Sequence, residues 1–308
     1  DDFLASHQTP VAREKLIQQG KIDPEEYDVM LVDRDWNFFS IYKDTYGIRY
    51  DDLAVETCET LFFPGCTLAS YSPELTRAVL DWLNKNEAKT GFTDLCCGKP
   101  LDSIGLTQEA DRYLDRLRTL IKKTGAKKII TSCPNCETTL KCHLHGIEIC
   151  SIFPILEASG IRLSGDEKVT FHDSCPDRYN NSNPAAVRQL LSGFTQKEMA
   201  SHGKNAICCG SGGIVSMIDP ELCQERAALR MAEFSDTGAD VCLTSCMACS
   251  LRLARVAQPG QVRHCLEYVF NIFVDYAQIE KNTQAMWEGD AGQINLTRLV
   301  QSGKTHAE

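Results

Sequence analysis

Ten of the 16 cysteines in this 308-residue chain fall into one five-membered pattern that occurs twice. The first set is Cys66, the pair Cys96-Cys97, then Cys133 and Cys136. The second is Cys175, the pair Cys208-Cys209, then Cys246 and Cys249. Each member recurs 109 to 113 residues later. Scattered core cysteines would not keep a near-constant displacement over five positions, so the chain carries an internal duplication. Thiol sets of this kind handle soft metal, and iron with sulfide is the first candidate.

The flanking segments repeat as well. Thr124-Gly-Ala-Lys-Lys-Ile-Ile-Thr-Ser-Cys-Pro-Asn-Cys136 matches Thr237-Gly-Ala-Asp-Val-Cys-Leu-Thr-Ser-Cys-Met-Ala-Cys249 at Thr, Gly, Ala, Thr, Ser and both cysteines. Each reads as a helix stop, a short strand and a cysteine turn opening a helix. Thr60-Leu-Phe-Phe-Pro-Gly-Cys66 is a short apolar run closed by Pro-Gly, hence a buried strand, and Val169-Thr-Phe-His-Asp-Ser-Cys175 is its counterpart. Ser72 is expected to cap a helix that places Leu75, Val79, Leu80 and Leu83 on one face. Thr107 is expected to cap another, with Tyr113, Leu114, Leu117, Leu120 and Ile121 as its stripe, stopped by Gly125. Asp219-Pro220 starts a helix running to about Phe234.

Strand and helix alternate, which predicts an α/β fold of two pseudo-symmetric units with short, largely parallel sheets and metal-binding cysteine loops. The expected divisions are an arm over 1–56, a first unit over 57–164, a second over 165–270, and a C-terminal helix and tail over 271–308. The arm carries aromatics (Trp36, Phe38, Phe39, Tyr42, Tyr46, Tyr50) that must pack on the body or on a partner. The last segment starts helical at Ile272, Phe273, Tyr276 and Ile279. It ends polar, with Gly289, Gly292 and a Ser-Gly-Lys-Thr stretch, which suits disorder or partner contact.

Composition narrows the setting. A hydrophobic content of 43% supports a core without staples. A net charge of −10 would repel nucleic-acid phosphate. No apolar run approaches the roughly 20 residues of a membrane helix, and no signal-peptide pattern opens the chain. Asp1 is not a natural start, so the chain reads as processed or as part of something longer. A secreted disulfide scaffold would be shorter and richer in loops. The cysteines therefore suit metal in a reducing compartment, and the chain is placed in the cytoplasm, free or peripheral to a membrane complex.

Thiolate ligates both zinc and iron–sulfur clusters. Structural zinc takes four ligands, commonly two close C-x-x-C pairs. Here each unit offers five cysteines, including a vicinal pair whose side chains diverge, which suits a multi-iron cluster better. Cys133 and Cys246 each follow a strand and precede a helix, where free N–H groups and the helix dipole favour thiolate. Gly98, Gly210, Gly212 and Gly213 beside the paired cysteines let backbone amides come close to sulfide. Cys58, Cys142, Cys150, Cys223, Cys242 and Cys265 read as small buried hydrophobes, with Cys150 and Cys265 at similar places after their turns. His172 precedes Cys175 by three residues and is placed to donate a hydrogen bond to a cluster sulfur. Lys99, where the second unit has Ser211, is either a solvated lysine or a hold for a negative substrate group.

The arrangement Cys…Cys-Cys-Gly…Cys-x-x-Cys, present twice over about 57–270, resembles the cysteine-rich CCG-domain family, whose best-known member is the B-type subunit of heterodisulfide reductase. The resemblance implies that Cys66, Cys96, Cys97, Cys133 and Cys136 bind one noncubane [4Fe-4S] cluster and that Cys175, Cys208, Cys209, Cys246 and Cys249 bind another. It implies that the two clusters face one another, with a small-molecule disulfide between them that is split by single electrons. It also implies a ferredoxin-like iron–sulfur subunit and a flavoprotein subunit as partners, since no C-x-x-C-x-x-C-x-x-x-C relay motif is visible, and a place in anaerobic metabolism. The expected function is that of a disulfide-reducing oxidoreductase subunit in an electron-transfer complex. The alternatives are a non-catalytic conduit between a flavoprotein and a quinone or ferredoxin, and a zinc scaffold.

Overall fold

The apolar runs in front of the cysteine turns become the central strands of two sheets. A computed structural model describes residues 5–87, 89–178 and 182–303, with residues 5–8 described by backbone alone. Asp1 and the Lys304-Thr305 half of the polar tail lie outside the described residues. The first sheet contains β1 (Thr60–Phe63), β2 (Thr90–Phe92), β3 (Lys128–Thr131) and β4 (Glu148–Ser151). The second contains β5 (Ser164–His172), β6 (Gly193–Lys197), β7 (Val241–Thr244) and β8 (Val262–His264). Their orders, β2-β1-β3-β4 and β6-β5-β7-β8, are the same topology twice, and every pair is parallel. The α/β class with two repeated units and parallel pairing holds.

Burial explains the pattern. Leu61, Phe62, Phe63, Ile129 and Ile130 are all fully buried, as strands covered by helices on both faces must be. The units share one core, in which Phe62, Ile130 and Phe153 of the first pack with Val169, Phe171 and Leu243 of the second. The order places β1 beside β3, and β5 beside β7, where the crossovers run off in opposite directions. Outside the carboxyl ends of such strands a crevice opens. The turns that carry Cys66 and Cys133, and Cys175 and Cys246, start there.

Several local expectations change. Ser72 stands at the N-cap of the helix Pro73–Asn86, but its hydroxyl makes no capping bond, and its buried carbonyl instead accepts from the Thr76 hydroxyl at 2.9 Å. Leu106, not Thr107, precedes the helix Thr107–Thr124, so Thr107 is its first residue and no side chain caps it. Gly125 ends that helix at φ +75°. Asp219 caps the helix Pro220–Asp236 by accepting from the Leu222 amide. Near the C-terminus, Ile272 and Phe273 lie in the connection before the helix Tyr276–Ala285. The segment beyond, with Gly289 and Gly292, forms a further helix, Gly289–Val300.

The two ends of the described chain close on each other. The helix Phe38–Thr45 buries Ile41 and Tyr42 against Met286. The Asp35 amide donates to the Gly303 carbonyl at 3.2 Å, the Trp36 amide to Ser302 Oγ at 2.7 Å, and the Tyr46 hydroxyl to the Asn282 carbonyl at 2.7 Å. Arg298 pairs with Asp44 at 2.7 Å. Farther upstream, Arg13 hydrogen-bonds the carbonyls of Ser103 and, at 3.1 Å, Gly213, so the first helix touches both units.

Candidate metal centre

Each cysteine is set by the end of an element. Cys66 opens the helix Cys66–Tyr71 directly after β1, and Cys133 and Cys246 occupy the N-cap positions of the helices Pro134–His143 and Met247–Ala254. Cys96-Cys97 lie between β2 and Gly98, which takes φ +77° to start the helix Lys99–Ile104. Cys175 opens a single 3-10 turn after β5, and Cys208-Cys209 precede Gly210 at φ +86°.

Side-chain contacts thread the ten sulfurs in a single path. Cys66 meets Cys96, Cys96 meets Cys97, Cys97 meets Cys136 and Cys136 meets Cys133. Cys175 meets Cys208, Cys208 meets Cys209, Cys209 meets Cys249 at 3.2 Å between sulfurs, and Cys249 meets Cys246. Cys133 and Cys246 then lie near enough for each to shift the other's acidity, which relates the quintets across the pseudo-twofold seam. Both sets predicted from the spacing are thus brought together, each within its own unit.

Thiol acidity varies along this path. Cys97 lies well below the ordinary thiol range because Cys136 and Cys96 donate to it, and Cys246 is lowered in the same way by Cys133 and Cys249. Cys208 is drawn down to about 2 by Cys175 and then Cys209. Cys96, Cys136, Cys175, Cys209 and Cys249 are pushed up by the sulfurs they donate to, then by burial. Cys133 takes a bond from Cys136 and gives one to Cys246, and ends up raised. Amides add support: Lys99 N–H donates to Cys97, and Gly210 N–H approaches Cys208 Sγ at 3.4 Å. Six of these ten cysteines are buried and four half-buried, and most of the thiols hold their protons tightly, so only a strongly bound cation would displace them. A multinuclear cation that displaces those protons fits this donor set, and five sulfurs per unit exceed what one tetrahedral zinc takes.

Glycine is demanded at two places. Gly65 takes φ +82° and ψ 149°, and a Cβ there would stand 2.9 Å from Cys133 Cβ and 3.3 Å from Cys136 Sγ. A Cβ on Gly210 would stand 2.6 Å from the Cys223 carbonyl oxygen. Gly98 has more room, its nearest neighbour being the Ala110 carbonyl oxygen at 3.2 Å, and around Gly212 there is open space. Gly65 packs against two of the cysteines in a way that the cysteine spacing does not reach; the Pro-Gly before Cys66 is its one local mark.

A cavity of about 560 Å³ opens against the first quintet and is lined by all five of its cysteines and by none of the second set. Ser211 to Ile214 of the second unit form its opposite wall, and Phe38, Tyr71 and Trp287 supply an aromatic side. Three cations line it in a protein of net charge −10: Lys99, Arg252 and Arg255. Lys99 is paired to Asp102 at 2.6 Å and Arg255 to Glu280 at 3.5 Å. Among the described residues no acid pairs with Arg252, whose Nε is buried and unpartnered. Spacing gives no hint of Arg252.

His172 is fully buried, and a ring nitrogen lies within 4.8 Å of the sulfurs of Cys209 and Cys249 rather than beside Cys175. Among the six further cysteines, Cys58, Cys223, Cys242 and Cys265 are buried as expected. Cys142 is exposed and Cys150 only half-buried, because Cys142 lies on the outer side of its helix and Cys150 on the edge strand β4. Cys150 and Cys265 are not equivalent: Cys150 lies within β4, whereas Cys265 opens the helix after β8.

The cysteine-rich domain CCG matches residues 60–141 and 169–254, more than half of the chain. The chain belongs to the CCG domain family. The B-type subunit of the fumarate reductase (CoM/CoB) of Methanothermobacter marburgensis is 26% identical over 202 residues, 62% of this chain and 41% of the relative. The D-type subunit of the dihydromethanophenazine:CoB–CoM heterodisulfide reductase of Methanosarcina mazei is 28% identical over 77% of this chain and 64% of its own length. Lactate utilization protein A 1 of Bacillus mycoides is 24% identical, covering 66% of this chain and 92% of the relative. The CCG chain thus spans about half the length of the reductase subunits it resembles, and it is related to subunits of heterodisulfide-type reductases. No helix among the described residues is long and apolar enough to cross a membrane.

Proposed function

We propose that this chain is an iron–sulfur subunit of a multi-protein electron-transfer complex that reduces a disulfide, or a similar two-electron acceptor, in one-electron steps. Two noncubane [4Fe-4S] clusters would be held, one by Cys66, Cys96, Cys97, Cys133 and Cys136 and one by Cys175, Cys208, Cys209, Cys246 and Cys249. The clusters would supply single electrons and iron with affinity for sulfur. The two CCG units would occupy 57–164 and 165–270, with a ferredoxin-like subunit and a flavoprotein as partners, in the cytoplasm or at the periphery of a membrane complex.

The cavity against the first quintet carries this reading. It would admit a small disulfide to the sulfurs of that set, while the aromatic wall shields the reacting bond from water. Arg252 would hold an anionic group of the acceptor, and Lys99 would add a second positive charge at the rim. The overall change is RS–SR plus two electrons and two protons to two RSH. The nearness of Cys133 to Cys246, each shifting the other's acidity, favours the rival reading, a conduit in which electrons cross the seam and leave without bond cleavage.

Full chain prepared anaerobically is expected to contain about eight iron atoms if both sites hold four-iron clusters. Once chemically reduced, it should be re-oxidised by dithiodiglycolate with release of two thiols per disulfide, and more slowly by neutral hydroxyethyl disulfide. Arg252→Ala should lower turnover of the anionic probe about tenfold, the loss of one charge-assisted contact, with iron unchanged. Iron near zero ends the reading. Full iron with oxidation by a quinone but no thiol release establishes the conduit instead.

A further inference from the structure

The two units place different residues behind equivalent sulfurs. Phe63 ends β1 in register with Thr131, and His172 ends β5 in register with Thr244, the matching place. Phe63 shares an apolar cluster with Cys97 and Cys136, whereas His172 stands by Cys209 and Cys249. Seven residues before Thr124 the first unit buries Leu117. Seven before Thr237 the second buries Arg230, which is completely shielded from solvent. At the end of the last strand, Ser151 of the first sheet becomes the buried His264 of the second.

The proton on His172 is located by its neighbour. Arg230 Nε donates to His172 Nδ1 at 2.9 Å, so the ring hydrogen is on Nε2. That nitrogen is buried and has no acceptor among the described residues. The bond from Arg230 also fixes the plane of the ring and so the direction of its single N–H. Arg230 is itself anchored by the Ser201 carbonyl at 2.6 Å and by Glu233, leaving Nη2 buried and unpartnered among the described residues. His264 repeats the arrangement, with Nδ1 accepting from the Leu266 amide and Nε2 orphaned. N–H donors and a nearby cation in a dry setting stabilise added negative charge on a cluster, and both raise its potential. The first quintet has Phe63, Leu117 and Ser151 at these places and faces the cavity.

We infer that the two centres are unequal, His172 and Arg230 holding the cluster of the second quintet at the higher potential so that it is the first to be reduced, while the acceptor binds against the first quintet. This rests on the two-cluster reading above. His172 and Arg230 are positioning residues, since they act through the cluster ligands and do not touch the acceptor.

Spectroscopically monitored redox titration of the full chain with both clusters loaded should resolve two midpoints. His172→Phe, the residue of the first unit, should lower the upper midpoint by a tenfold change in its equilibrium or more, about 59 mV for one electron, and leave the lower one in place. His172→Gln, which keeps an acceptor for Arg230 and an N–H donor, should restore most of it. If His172→Phe does not fold, wild-type chain with isotopically labelled histidine decides: nitrogen coupling should appear on the upper-potential signal alone. Equal midpoints, an upper midpoint unmoved by His172→Phe, or coupling on the lower signal would overturn the inference. Absence of iron would instead overturn the two-cluster reading.

Discussion

Replacing Gly65 by alanine tests whether the Pro-Gly turn is part of the metal cradle. At φ +82° and ψ 149° this residue sits where a side chain is strained by about 1–3 kcal/mol. The new methyl would also stand 2.9 Å from Cys133 Cβ and 3.3 Å from Cys136 Sγ, and neither belongs to a flexible chain end that can swing away. Overpacking of this kind costs about 1–3 kcal/mol more, so the total is about 2–6 kcal/mol. Relief requires the Cys133–Cys136 turn to move, which takes two sulfurs out of place. Gly125 is the control: its φ is +75°, but nothing lies within 4 Å of its would-be Cβ. Gly125→Ala should cost about 1–2 kcal/mol and leave metal content untouched. Iron per chain after anaerobic reconstitution, with denaturant unfolding beside it, reads both effects. Gly65→Ala should hold about half the wild-type iron, because the second quintet is intact. Full iron in Gly65→Ala, with a stability loss no larger than that of Gly125→Ala, would refute the argument.

Two further outcomes follow from burial. Cys142→Ser should change neither iron content nor stability beyond about 0.5 kcal/mol, since Cys142 is exposed and apart from both quintets; loss of iron would place it in a site. Ile41→Ala, at a fully buried position against Met286, should cost about 2–5 kcal/mol in denaturant unfolding. It should also weaken capture of the disulfide probe, because the same helix carries Phe38 of the cavity wall.

The parts of the fold that repeat are legible in the chain itself. Each strand-turn-cysteine segment states its own structure locally: an apolar run, a Gly or Pro, and a thiol at a helix start. Two copies of that statement fix the parallel topology and bring the ten sulfurs together. Contacts between distant segments carry no such signal. Nothing local in Thr107 shows that Leu106 will be the helix boundary, and nothing in Tyr46 points to Asn282. His172 stands out by its place before Cys175, yet its sulfur neighbours are Cys209 and Cys249, because a residue at a strand end faces the elements packed on the sheet, not the next turn. Arg230 reads as an ordinary helix arginine until it is superposed on Leu117. Arg252 becomes a cavity-lining group only once the fold is assembled.

The clasp between the two ends of the fold has a consequence for how the molecule is made. Phe38 is synthesised well before Trp287, yet both form one wall of the cavity, and the bonds from Asp35 and Trp36 reach Gly303 and Ser302. During translation the thiols therefore emerge long before the wall that will enclose them. Loss of Ser302 would remove the hydrogen bond that the Trp36 amide donates and leave that wall held at fewer points.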